Sequence, residues 1–351
     1  MRVLAIRRMR VAVDARALRP GTTRARGVAR YLRCVLEELR RAFPEDRYEL
    51  VDPGRLGLLG AAVAGRPRLD RLAGGCDVAW VPAPAPAAVS PGVPYVLTVH
   101  DLSFEHRPRD YPLYDRLWLR LARPRRLARR AAGVLCVSEQ TRRAVVSEWS
   151  LEPARTRTVL PGPGRPPAAT ASDAEAPGVP ERFLLAVGAL EPRKRPLLVA
   201  DAHRRAAGRG LNAGLVFAGD GPLRARVEDT GATVLGHVAE AALEALYSRA
   251  LAVVCASREE GFGFTPLEAA ARGTPVVVAD LPVFSETLGG ATLRVAPGDA
   301  DALAEALVRI DADAALRERL AAAGREAAGR LSWERAARQT RALLLEAAVA
   351  A

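Results

Sequence analysis

Leu251-Ala-Val-Val-Cys-Ala-Ser257, then Glu260-Gly-Phe-Gly-Phe-Thr-Pro-Leu-Glu268, then Thr274-Pro-Val-Val-Val-Ala-Asp280, is the stretch from which the fold is read. The first and last segments are short apolar runs rich in β-branched residues, the signature of buried strands. Between them Leu267 to Arg272 reads as helix closed by Gly273, with Thr265 as N-cap and Pro266 at the first helical position. The unit is strand, glycine-bearing loop, helix N-terminus, strand. A helix N-terminus presents free amides and the positive end of its dipole, which suits an anion. Gly261 and Gly263 let a ligand approach the backbone. Thr265 and Glu268 also have the spacing of a capping box, so Glu268 has a structural reading as well as a ligand-binding one. Glu260, ending a buried strand, faces solvent or a ligand. Two carboxylates bracketing a glycine loop suit paired hydroxyls of a ribose or a sugar.

The same alternation runs outward in both directions. Val11–Asp14, Cys76–Val81, Tyr95–Val99 and Val134–Val137 read as strands, with helices from Gly27 to Arg40 and after Ser138, a candidate cap. Phe183–Val187, Leu215–Ala218 and Thr233–Leu235 read as strands of a second set, with helices from Leu197 and over Ala241–Arg249. Between the sets, Leu160 to Pro180 is rich in Pro, Ala and Gly without periodicity, which marks a linker. Trp333 to Ala348 is an amphipathic helix. The expected organisation is a first α/β domain over 9–162, a linker over 163–180, a second α/β domain over 181–330 and a terminal helix over 331–351. Met9 opens the first strand, so residues 1–8 read as a dispensable extension.

At 351 residues, 49% of them hydrophobic, the chain can bury two cores. Cys34, Cys76, Cys136 and Cys255 lie singly in apolar runs without metal or disulfide spacing; buried thiols in a reducing compartment are expected. No apolar run reaches spanning length and no signal-peptide h-region opens the chain, so the expected location is cytoplasmic. The net charge of +12 raises a nucleic-acid reading. The arginines are spread over the chain, however, and no nucleic-acid-binding motif accompanies them. They are dense in one place: Arg116, Arg120, Arg123, Arg125, Arg126, Arg129 and Arg130, interleaved with Leu117, Trp118, Leu119, Leu121 and Leu127. That segment reads either as a solvated arginine face broken at Pro124 or as a peripheral contact with an anionic membrane through Arg116–Arg130.

Lys194 is the only lysine among 52 Lys and Arg residues. In a chain that uses arginine elsewhere, the holdout marks a place needing a compact, flexible ammonium. It lies with Arg193 in the strand-end loop Gly188-Ala-Leu-Glu-Pro-Arg-Lys194, where two cations suit a diphosphate and its departure as a leaving group. His100 and Asp101 end the strand Tyr95–Val99, where parallel sheets place ligand groups.

These segments together resemble the retaining, nucleotide-sugar-dependent glycosyltransferases of the GT-B fold, the large family that has glutamates separated by seven residues and includes bacterial mannosyl- and glucosyltransferases. The matching features are Glu260 and Glu268 with their GFGFTPLEAAARGTPVV context, the Gly188–Lys194 loop, Gly219-Asp-Gly221, His100-Asp101 and Ser332-Trp333-Glu334. The resemblance implies two Rossmann-like domains facing a central cleft, the C-terminal one holding the nucleotide sugar, with the last helix crossing back to the first domain. It implies that Arg193 and Lys194 bind the diphosphate and stabilise it on departure. Glu268 would accept ribose hydroxyls and Glu260 hydroxyls of the transferred sugar. Gly188, Gly261, the amides of Phe262, Gly263 and Phe264, and Leu267 would line the donor, and His100 and Asp101 would face the reaction centre.

Transfer through oxocarbenium-like charge requires acceptors at the sugar and cations at the phosphate. No Asp-x-Asp motif stands in a suitable loop, so neither metal nor cofactor is expected. One departure is Gly27-Val-Ala-Arg-Tyr31, where the family often has Gly-Ile-Gly-Arg-Tyr. Gly27 keeps one close-approach position and Ala29 adds a methyl at the other. Thr98 to Pro108 looks most like members using GDP-mannose, with UDP-glucose the alternative donor. A glycan, a lipid-linked or a small-molecule acceptor is implied. The competing class is a GT-B protein, epimerase-like or purely binding, that holds a nucleotide sugar without transferring it.

Overall fold

The computed structural model describes residues 8–19, 26–164 and 178–350. Most of the linker therefore lies outside the described residues, as does most of the loop before Arg26. The chain divides into two compact units, Met1–Gly162 with Ser332–Ala351, and Pro163–Leu331.

The first unit is a six-stranded parallel sheet in the order β2-β1-β3-β4-β5-β6. Its strands are β1 (Arg10–Asp14), β2 (Arg47–Val51), β3 (Val78–Val81), β4 (Tyr95–Val99), β5 (Gly133–Cys136) and β6 (Thr156–Thr158). β3, β4 and β5 are buried along their whole length, as continuous apolar runs covered on both faces require. The edge strand β2 is exposed at Arg47, Glu49 and Leu50. Ser138 caps the helix Glu139–Glu148, its Oγ accepting from the Thr141 amide at 3.1 Å.

The terminal helix Trp333–Ala350 belongs to this unit, packing on the helix Arg26–Ala42 and against β3, β4 and β5. One buried junction ties it there. Asp46 accepts from Arg341 Nε at 2.6 Å, from the Met9 amide at 2.9 Å and from Tyr48 Oη at 3.2 Å. The Arg341 guanidinium also lies 4.3 Å from the centroid of the Phe43 ring. The Asp46 side chain is fully buried, so removing its cation strands a charge. Arg341→Ala is therefore expected to destabilise this unit by roughly 3 kcal/mol, read as a lower urea midpoint. A variant that unfolds with the wild type would show that the junction contributes nothing.

The second unit is also a six-stranded parallel sheet, in the order β12-β11-β10-β7-β8-β9. Its strands are β7 (Phe183–Val187), β8 (Gly214–Ala218), β9 (Thr233–Gly236), β10 (Ala252–Cys255), β11 (Val276–Ala279) and β12 (Leu293–Val295). Counted from β7, that is the doubly wound order of dinucleotide-binding folds, with the chain reversing direction between β7 and β10. Leu184, Leu215, Phe217, Val254 and Val277 form the sheet's part of a core closed by helices Pro196–Ala207, Ala300–Ala312 and Ala314–Gly329.

All four cysteines are free. Cys136 and Cys255 are buried, whereas Cys34 and Cys76 are only partly so, a correction to the expectation of four buried thiols.

Candidate functional site

In an open parallel sheet, ligands sit outside the carboxyl ends of the strands where the winding reverses. In the second unit these ends are β7 and β10, and the loops leaving them carry Arg193, Lys194 and Glu260. After β7 the chain makes a single tight turn, Pro192–Lys194, and passes through Arg195 in the left-handed region (φ 50°) into the helix Pro196–Ala207. The loop rests on the carboxyl end of β8. The Gly188 amide donates to Ala218 O and the Leu190 amide to Asp220 O, both at 3.0 Å. This approach requires glycine at position 219, because a Cβ there would sit 1.8 Å from Gly188 O.

Glu260 follows β10 and turns inward. Its carboxylate forms an ion pair with Lys194 Nζ and accepts from Ser257 Oγ at 2.7 Å. Arg193 reaches the same loop, donating from NH1 to Glu259 O at 3.3 Å, and Arg193 O accepts from the Arg258 amide at 2.9 Å. Glu260 is 8% exposed and faces Lys194, so of the two readings from its strand-end position solvent is set aside. Burial pushes its pKa up, but the charges of Lys194 and Arg193 and the bonds from Lys194 and Ser257 outweigh burial. The carboxyl is held below its ordinary range and stays ionised.

Gly263 begins the next helix, Phe264–Ala271, from the left-handed region (φ 85°), a conformation glycine adopts without steric cost. The N-cap is thus Gly263, with no side-chain cap hydrogen bond, and Thr265 lies inside the helix. The expected Thr265–Glu268 capping box is not formed. The sequence misplaced this cap because a left-handed glycine starts the helix earlier than a hydroxyl cap would. Phe262 and Phe264 meet edge to face at 4.9 Å on either side of Gly263, and Leu267 is fully buried. Glu268, 3% exposed, accepts from Tyr247 Oη at 3.1 Å.

In the first unit His100 and Asp101 follow β4. His100 Nε2 lies 2.8 Å from Pro82 O, a contact only a protonated Nε2 can satisfy, so Nδ1 is the acceptor in the neutral ring. Tyr31 meets the ring edge on at 5.0 Å. Burial lowers the His100 pKa, against the opposing pull of the Pro82 carbonyl and Asp101. Asp101 Oδ1 accepts from the Ser103 amide at 3.0 Å and Ser103 Oγ at 2.6 Å, so its carboxylate shapes the turn into Ser103–His106. Gly27 is the second residue of the helix Arg26–Ala42, with Ala29 two residues on in the same helix.

Residues 25–162 match the model of Glycosyltransferase Family 4, and residues 170–327 match that of Glycosyl transferases group 1. The chain belongs to the GT-B glycosyltransferases. Among curated relatives, the O-antigen chain mannosyltransferase RfbU of Salmonella typhimurium is 44% identical over 79 residues, 22% of each chain. A phosphatidyl-myo-inositol mannosyltransferase of Mycobacterium tuberculosis is 33% identical over 223 residues, 59% of this chain and 57% of that one. The chain thus matches between about a fifth and just over half of the length of these relatives. A sucrose-phosphate synthase from Thermosynechococcus elongatus superposes with a TM-score of 0.74 over 98% of this chain and 100% of its own, at 21% identity, a likeness of fold.

Reading the sequence of this glycosyltransferase missed three side chains that hold its candidate site. Ser257, the polar end of an apolar run, is 1% exposed and bonds Glu260. Tyr247 and Arg272 come from other segments. Arg272 pairs with both carboxylate oxygens of Glu244, donates to Glu268 O at 2.7 Å and lies 5.3 Å from the centroid of the Tyr247 ring. A polar residue inside an otherwise apolar segment was the one available signal for each.

Proposed function

We propose that this glycosyltransferase moves a hexose, mannose from GDP-mannose in the first instance, from a nucleotide sugar to a glycan, lipid-linked or small-molecule acceptor, with retention and without a metal. The observation that carries the reading is the Lys194–Glu260 pair, flanked by Arg193, at the point where the second sheet reverses its winding. An ammonium held by a buried carboxylate is already partly desolvated and aimed, the preorganisation that a departing diphosphate requires. On donor binding, Lys194 and Arg193 would meet the diphosphate, and Glu260 would accept from hydroxyls of the sugar. The amides of Phe262, Gly263 and Phe264 would lie along the sugar and phosphates, and Glu268 would accept from the ribose hydroxyls. His100 would offer Nδ1 to a hydroxyl, with Asp101 fixing the turn that carries it. The bond from C1 to the diphosphate oxygen breaks while the acceptor oxygen bonds C1 from the same side. The acceptor proton goes to the departing phosphate oxygen, so no enzymic nucleophile is needed. Giving the leaving-group charge to two side chains removes the need for a divalent cation.

The mannosyltransferase names of the relatives, together with Thr98 to Pro108, support GDP-mannose, and UDP-glucose is the alternative. Incubation of labelled nucleotide sugars with candidate acceptors in EDTA is the test. The reading predicts acceptor-dependent transfer from one donor, with the anomeric configuration kept. Release of free sugar regardless of acceptor would instead favour a GT-B protein that binds without transferring, and inversion of the anomer would end the retaining mechanism.

A second reading concerns the first unit's surface. Leu113, Tyr114 and Leu117, on the helix Leu113–Ala122, are 76%, 67% and 59% exposed, with Arg116 and Arg120 exposed among them. On the helix Gly54–Ala64, Leu56 and Val63 are 85% and 81% exposed. The crossovers from β2 to β3 and from β4 to β5 step the same way along the sheet, so right-handed connections place both helices on one face. Apolar side chains ringed by arginine favour an anionic bilayer surface. Arg125 pairs with Glu105, and Arg129 Nε donates to Trp149 O at 3.2 Å, so these two arginines of the cluster are engaged within the unit. Among the described residues no helix is long and apolar enough to cross a membrane. Sedimentation with vesicles containing phosphatidylglycerol is expected for the wild type and lost in L113Q/Y114Q/L117Q. A wild type that stays in the supernatant removes the reading.

A further inference from the structure

Glu268 is held from several directions by groups that have no place in the transfer chemistry. Its Oε2 accepts from Tyr247 Oη at 3.1 Å, and Tyr247 is itself fully buried. The Tyr247 carbonyl accepts from Thr274 Oγ1 at 2.7 Å, which anchors the end of the helix Glu240–Arg249 to the loop before β11. Arg272, held by both oxygens of Glu244, lies over the Tyr247 ring and donates to the Glu268 carbonyl at 2.7 Å. Gly164 also lies against the Glu268 side chain. A Cβ at position 164 would stand 2.8 Å from Glu268 Cγ and 3.3 Å from Oε1. Any side chain there must displace Glu268 or be displaced by it.

We propose that Tyr247 and Gly164 are positioning residues that fix the plane of the Glu268 carboxylate for a vicinal diol. The inference rests on the assignment of Glu268 to the ribose hydroxyls. A carboxylate free to rotate would lose orientation entropy when it meets a diol; one already clamped does not, and that difference appears as affinity. The clamp also selects a ligand class. It rewards a nucleotide that presents two adjacent hydroxyls and gives nothing to a deoxyribose nucleotide.

The test is calorimetric binding of GDP, 2′-deoxy-GDP and 3′-deoxy-GDP to the wild type, Y247F and G164A, with UDP and its deoxy forms substituted if UDP proves to be the nucleotide. The wild type is expected to prefer the ribonucleotide. Y247F removes one hydroxyl from a buried ring and should weaken ribonucleotide binding about 3- to 10-fold, the range for one hydrogen bond. Its affinity for the deoxynucleotides should be unchanged. G164A should give the same pattern through a different contact. If a variant weakens ribo and deoxy forms alike, its role is structural and the positioning inference falls while the Glu268 assignment stands. If the wild type itself fails to discriminate, the Glu268 assignment falls first.

Discussion

Replacing Lys194 by alanine is expected to lower kcat by about a hundred- to a thousandfold, the usual cost of removing one preorganised group that stabilises leaving-group charge. It should also change the acid–base behaviour of the protein, which a simple loss of affinity would not do. With Lys194 present, the Glu260 pKa lies below its ordinary value. The stability this group contributes is complete above the ordinary carboxylate pKa and is lost only as pH falls through the lower folded value. Without the ammonium its charge and its hydrogen bond no longer oppose burial, and the carboxyl moves up. The stability that the lowered carboxyl contributes above the ordinary carboxylate pKa shrinks by the same amount in the variant. Thermal melts at pH 5 and pH 8 should therefore show a gap between wild type and K194A that widens towards pH 8, to roughly 2 kcal/mol, with Lys194 being part-exposed. Lys194→Arg keeps a cation and should close most of the stability gap. It should recover less of kcat, because a guanidinium fork does not reproduce the reach of a compact ammonium.

Gly219→Ala is expected to damage the site by displacing the loop that carries Arg193 and Lys194, without removing any side chain from it. Its Cβ would fall 1.8 Å from Gly188 O and 2.8 Å from Gly188 C, both backbone atoms that no rotamer change can move. Either the loop carrying Arg193 and Lys194 lifts from the end of β8, breaking its bonds from Gly188 and Leu190, or β8 itself shifts. The expected cost is roughly 3 kcal/mol and a melting midpoint lower by about 5–10 °C. Transfer should fall by more than the loss of folded protein explains, since a displaced lysine loop loses preorganisation even where the chain remains folded. Full activity per folded molecule would show that the Gly219 contact does not set the position of the loop.

What could be read from the sequence follows from how local the determining forces are. Phe183–Val187 and Tyr95–Val99 are found with the same bounds in the structure, because a fully buried parallel strand must be apolar at consecutive positions. β2, Arg47-Tyr-Glu-Leu-Val51, is not legible as a strand because an edge strand half open to solvent carries charge at alternate positions. The helices Ala300–Ala312 and Ala314–Gly329 are equally hard to read from sequence. Alanine-rich segments show weak periodicity, and their caps, Asp299 and Asp313, are the clearest local marks of where they start. In the candidate site, the glycine loop and the two glutamates were legible from type and spacing, and Lys194 from its rarity. That Lys194 meets Glu260 was not legible, since the two are 66 residues apart and are brought together only by the pairing of β7 with β10. Nor was the hold of Tyr247 on Glu268, or the approach of Gly164, which are tertiary contacts with no sequence period of their own.

The central claim is that the loops leaving β7 and β10 form a diphosphate site, and comparing GDP with GMP tests it most directly. Titration calorimetry in EDTA should be run on wild type and K194A, with UDP and UMP in parallel. The account predicts that the wild type binds one nucleoside diphosphate at least tenfold more tightly than its monophosphate, about 1.4 kcal/mol. It also predicts that K194A removes most of that preference while leaving monophosphate binding nearly unchanged. A wild type that binds diphosphate and monophosphate equally, or a K194A variant that keeps the full preference, would contradict it.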